Sequence, residues 1–296
     1  MVGVSAPSKP RQRWIAVLAV VWGLILAGGV LWSVGHGRPT AREQTTTAQA
    51  RPTADRAIAE LASVVAGDDQ SVISISGYEP ISDCKVTTFR RGARYERSLT
   101  VLVPEGQEQA LLDRVGAALP ATYRARVYEG AAPRLVADPG NFVKLTGRPQ
   151  SPGEVRFVAD TGCRPDAPAA AASDVPDGTN GDAPGAGGNA PDAGGVAAER
   201  TQALLAVLGL RAGSQTHVHR VACPGGGSVT TVEALAPVSG PGRPLDEAMR
   251  EVLQRDAADA SVVLSRADLV YFRVDGLNVV VHTFAGEVVV TSTTTC

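Results

Sequence analysis

The stretches "GEVRFVADTGC" (Gly153–Cys163) and "GEVVVTSTTTC" (Gly286–Cys296) decide how this chain is read. Both open with Gly-Glu-Val, both carry Thr two places before Cys, and in both the Cys stands ten residues after the Gly. Apolar and polar residues in each fit a half-buried strand. One ending written twice points to a duplicated domain, and the similarity extends backwards from it.

In the first copy "RAIAELASVVAG" from Arg56 has Ile58, Leu61 and Val65 at helical spacing, with Gly67 as a stop. Its partner, "RTQALLAVLGL" from Arg200, has Leu204, Leu205 and Leu208, with Gly213 beyond. "CKVTTF" (Cys84–Phe89) then matches "CPGGGSVTTV" (Cys223–Val232) if Pro224–Ser228 is a longer loop. A second amphipathic helix follows in each, Glu105–Leu119 and Pro244–Ala257, the latter with Pro at its start. β-rich runs complete each copy: Tyr123–Tyr128, Phe142–Thr146 and Glu154–Ala159 in the first, and Ser261–Leu264, Leu269–Val274 with Asn278–Phe284, and Glu287–Thr291 in the second.

The expected fold class is α+β: two copies of a two-layer sandwich, helices against a mainly antiparallel sheet. Domain 1 is expected over residues 54–165 and domain 2 over 198–296. Four cysteines allow three pairings. One bridge within each copy, Cys84–Cys163 and Cys223–Cys296, is the simplest, and four free buried thiols are the alternative. Between the copies, residues 166–197 are rich in Ala, Gly, Pro and Asp and have little to bury, so a disordered linker is expected.

The N-terminal region sets the compartment. "WIAVLAVVWGLILAGGVLWSVG" (Trp14–Gly35) has no charge and is long enough for about 30 Å of hydrocarbon as a helix. Trp14 and Trp32 fall near its ends, where amphipathic rings prefer the headgroup level. The run exceeds a signal peptide's apolar region and lacks an A-x-A-like cleavage site. An uncleaved anchor over 14–35 is expected, with residues 1–13 as a cytoplasmic basic stub (Lys9, Arg11, Arg13) and 36–53 as a linker, although Arg38 and Arg42 follow closely. All four cysteines lie beyond the anchor, as disulfides in an oxidising compartment would. In layout alone the chain resembles bacterial envelope proteins with a short stub, one span and an extracytoplasmic module, and its composition is that of a GC-rich bacterial genome.

The net charge of −2 gives no basic footprint, so nucleic acid is not an expected partner. No cofactor motif is present. "SDCK" (Ser82–Lys85) matches the S-x-x-K of serine-acylating enzymes, but it lies in a β-rich run and includes a cysteine expected to be bridged. His217 and His219 share a strand face, with His282 elsewhere in the same copy; they could be considered for zinc, yet no carboxylate or Cys completes a ligand spacing. "CPGGGS" lacks the phosphate-loop lysine and reads as a hairpin loop, and Glu154 and Glu287 read as matched strand-start residues. No catalytic residue or metal ligand is assigned. The expected function is non-catalytic binding or scaffolding in the cell envelope, on an envelope protein, wall polymer or small ligand. The alternatives are a hydrolase or metal-dependent enzyme on these residues, or a sensor acting through a membrane partner.

Overall fold

A computed structural model describes residues 9–36, 45–82, 84–87, 91–165, 193–210, 216–237, 244–257 and 259–296. The chain divides into two units, Met1–Gln44 and Thr45–Cys296. The first unit contains helix α1 (Lys9–His36). Its side chains from Trp14 to Val30 are exposed, among them Trp14, Leu18, Trp22 and Ile25. Among the described residues, no helix is long and apolar enough to cross a membrane.

The second unit holds the same element order twice. The first repeat runs α2 (Thr47–Ala66), β1 (Val72–Ile81), β2 (Arg94–Leu102), α3 (Glu108–Ala118), β3 (Arg126–Tyr128), β4 (Arg134–Gly140), β5 (Val143–Ser151) and β6 (Glu154–Asp160). The second runs α4 (Ala193–Val207), β7 (Thr216–Ala222), β8 (Ser228–Pro237), α5 (Leu245–Asp256), β9 (Ser261–Arg266), β10 (Leu269–Val274), β11 (Leu277–Phe284) and β12 (Glu287–Thr293). Each repeat forms one six-stranded antiparallel sheet, in the orders β1-β2-β6-β5-β4-β3 and β7-β8-β12-β11-β10-β9. The last strand in sequence is therefore inserted between the second and fifth.

The quoted endings explain that insertion. Pro152-Gly153 and Ala285-Gly286 are the two-residue loops of matching hairpins, with the glycines at φ 78° and 83°. The repeated Thr clamps the second strand both ways. Thr161 N–H donates to Tyr95 O and its Oγ1 accepts from Tyr95 N–H, at 3.0 and 2.9 Å. Thr294 does the same with Thr230, at 2.9 and 2.8 Å. Two residues on, Cys84–Cys163 and Cys223–Cys296 are bridged, with sequence separations of 79 and 73.

One face of each sheet is covered by its two helices. Ile58, Leu61, Leu112 and Val115 pack there on Leu99, Leu145 and Phe157 in the first repeat. Leu204, Leu205, Met249 and Val252 pack on Val279, Val281 and Val290 in the second. Helix α2 begins at Thr47, inside the stretch expected as a linker over 36–53. A capping box between Thr46 and Gln49 starts it, and the buried faces of Ala50, Ala54 and Ala57 carry it through Pro52. Helix α4 likewise begins at Ala193, ahead of the expected domain start at 198; most of the expected linker, residues 166–192, lies outside the described residues. Strand β4 is not among the β-rich runs expected from the sequence, because "RLVADPG" carries charges, Pro139 and Gly140. The ladder accommodates them with a register shift after Ala137.

The two bridges close loops long enough to be worth roughly 4–5 kcal/mol each on the chain-entropy model. Removing the second with Cys223→Ser/Cys296→Ser is expected to lower unfolding free energy by about 2–5 kcal/mol in denaturant titration. An unchanged midpoint would mean that the terminal strand is held without the bridge.

Candidate functional site

The two repeats meet along a seam rather than standing apart as tethered beads. Edge strand β1 crosses the second sheet on the face opposite its helices, and Val72 and Leu102 bury against Tyr271 and Val280. Ile75 N–H donates to Thr231 Oγ1 (3.1 Å) and Arg273 to the Asp68 carbonyl (2.9 Å). Arg266 pairs with Glu105 and donates to the Pro152 carbonyl (2.7 Å).

A polar cluster pins this seam to α2. Arg97, only 6% exposed, donates to Asp55 (2.6 Å) and to the carbonyls of Ser76 (3.2 Å) and Arg220 (2.9 Å), the last in the other repeat. Tyr78 Oη donates to Asp55 (2.7 Å), and Arg51 lies over the rings of Tyr78 and Tyr95. Burial first, and the neighbouring Asp55 second, push the Tyr78 phenol above its ordinary pKa, so it remains a donor.

The histidines share this face of the second sheet but do not converge. His217 and His219 lie parallel with ring centroids 6.3 Å apart, and His219 packs over Gly77. His282 stands on β11, three strands across from β7, about 14 Å at ordinary strand spacing. Among the described residues no group of three metal-ligating side chains could hold an ion. Glu233, paired with His217 across the ladder, is raised by burial, with His217 opposing. His282 is lowered by burial, with Glu154 of the first repeat and Asp268 opposing. Tyr271 Oη is buried without a hydrogen-bond partner among the described residues, and burial pushes its pKa up to about 12.

The serine-acylation motif has no matching geometry. Ser82 is a bend after β1, Lys85 bridges to Arg91 in extended pairing, and Cys84 is disulfide-bonded. Asp83 lies outside the described residues. "CPGGGS" is the β7–β8 hairpin loop, closed by Cys223 N–H to Gly227 O (3.1 Å). Glu154 and Glu287 begin strands, and Glu154 accepts from Ser151 Oγ (2.9 Å).

The surface the sequence reading missed is the helix-free face of the first sheet. Cross-strand register places Thr100, Arg156 and Arg148 in one row, and the offset beside Leu135–Gly147 continues it through Arg134 to Tyr128. Arg148, Arg134 and Tyr128 are exposed, and Arg134 lies over the Tyr128 ring at 4.7 Å. Alternation in "RLVADPG", "VKLTGRPQS" and "EVRFVAD" was the available signal, but without β4 the row lacks Arg134, and Thr100 joins it only once β6 is inserted beside β2.

The molecule is thus a tandem α+β repeat whose helix-free sheet faces meet at the β1–β2 edge of the first sheet, leaving that sheet's face open toward β3. No family model, characterised protein or solved structure matches this chain.

Arg97→Ala is expected to lower unfolding free energy by about 2–3 kcal/mol, less than for a wholly buried pair because the Asp55 side chain is 36% exposed. An effect below 0.5 kcal/mol would remove the cluster from the account of the seam. His282 has a folded pKa below its unfolded value, so its contribution is present above the unfolded pKa of about 6.5 and is lost as pH falls through the folded one. Thermal melts at pH 7.5 and 5.5 should show a smaller acid-induced fall in Tm for His282→Gln than for the parent.

Proposed function

We propose that this protein is a non-catalytic binding or scaffolding component of the bacterial cell envelope. Helix α1 anchors it in the membrane, and the body Thr45–Cys296 lies on the extracytoplasmic side. The anchor reading rests on sequence that continues uncharged past Val30 to Gly35, together with exposed apolar side chains along the described part of α1. Two disulfides, one in each repeat, support an oxidising compartment for the body.

The single observation that carries a binding role is the exposed sheet face of the first repeat. Its partner face in the second repeat is occupied by β1, whereas on this one Arg126, Tyr128, Arg134, Lys144 and Arg148 face solvent. Because the repeats form one unit, binding needs no cooperation between modules on a flexible tether. It uses one preformed surface, so little ordering entropy opposes it.

Cross-linking the intact protein in native membranes should capture a discrete envelope component absent from an α1-only control. Protease added to intact spheroplasts should degrade the body. Recovery of nothing beyond the control would count against the binding role, and a protease-resistant body would place it on the cytoplasmic side and reverse the topology.

A further inference from the structure

We propose that the arginine row on the open face of the first sheet binds a linear anionic polysaccharide. This rests on the binding role above and names its partner class.

Arg156 and Arg148 are directly paired across β6 and β5, and Arg134 continues the row on β4. Adjacent strands lie about 4.8 Å apart, so three guanidinium-bearing positions repeat over about 10 Å. Like charges placed directly opposite one another disfavour the sheet. An anion lying along the row offsets that repulsion. Planar guanidinium groups suit carboxylates because they can donate two parallel hydrogen bonds. Arg148 has no ion pair among the described residues. Arg156 donates to both carboxylate oxygens of Glu79, at 3.2 and 3.4 Å, and its Nε is buried without a hydrogen-bond partner among the described residues.

Apart from Glu79 at its Arg156 end, the acidic residues of this face lie off the row. Asp160 and Glu96 both pair with Arg94, at 2.8 and 2.7 Å. In register they stand two rows along the strands from Arg156, about 13 Å away. Glu154 flanks the row on its other side. A flat anionic membrane would be pressed against these carboxylates as well as the arginines. A single extended chain along Arg148 and Arg134 meets no carboxylate, Glu79 lying at the Arg156 end, so charge complementarity favours a polymer.

Tyr128 supplies the sugar preference. It ends the row on edge strand β3, is 41% exposed, and has Arg134 over its ring. An exposed phenol ring offers an apolar plane to the C–H face of a pyranose. The hydroxyls of Thr100 and Thr146 lie on the same sheet face for sugar hydroxyls.

The full-length chain in detergent micelles should bind oligogalacturonate, and added salt should weaken it as expected for exposed charges. Arg148→Glu and Arg134→Glu should each weaken binding about tenfold, the scale of one charge-assisted contact. Arg148→Gln should weaken it less, and Tyr128→Ala should also weaken it. None of the four variants should melt below the parent, since the positions are exposed and the charge reversals remove like-charge pairs. Equal binding of neutral dextran, no binding of oligogalacturonate, or binding to phosphatidylglycerol vesicles alone would overturn the proposal. Equal binding of polyphosphate with no effect of Tyr128→Ala would reduce the face to a general anion surface and also overturn it. A partner captured in membranes whose cross-links map away from this row would defeat the polysaccharide assignment while leaving the binding role standing.

Discussion

The fold depends on the insertion of each repeat's last strand between strands formed much earlier. β6 must find β2 across more than fifty residues of chain, and β12 must find β8, before either sheet is continuous. Such long-range pairing is entropically costly, because the loop must close before its contacts reward it. Three local devices lower the difficulty. A two-residue hairpin delivers the strand already paired to its predecessor, a Thr exchanges two hydrogen bonds with the second strand, and a disulfide two residues later locks the register. All three are written in the shared ending.

With both sheets closed, the same architecture leaves each with one helix-covered face and one bare face. The two bare faces cannot cover each other completely, because the repeats meet through an edge. β1 lies over the second sheet, where Tyr271, Val280 and Thr231 await it, and Arg97 ties the contact back to α2 through Asp55. The first sheet keeps its face open toward β3 and presents arginine there. Duplication followed by an asymmetric seam thus turns two equivalent surfaces into one structural and one available.

Much of this was readable before the structure. The helix stripes at Ile58, Leu61 and Val65 and at Leu204 and Leu205 are buried as their spacing requires, and both cysteine pairs join within their own repeat. Other features were hidden for identifiable reasons. The start of α2 was obscured by Pro52 and a run of threonines, although the Thr46–Gln49 capping box was present. β4 was hidden by Pro139 at a register shift. His217, His219 and His282 do share a sheet face, but sequence carries no measure of the three strands that keep them apart.

What the sequence by itself determined is local and repeated: the hairpin glycines, the apolar stripes, the Thr clamp and the cysteine spacing, together with the uncharged run from Trp14 to Gly35. These follow from periodicity and backbone chemistry, which act over a few residues. Only the tertiary structure decided that β6 lies beside β2, which adds Thr100 to the row of Arg134, Arg148 and Arg156, and that Tyr271 is buried and His282 half-buried beside the seam. Strand order and inter-repeat packing bring together residues whose separation along the chain says nothing about their separation in space.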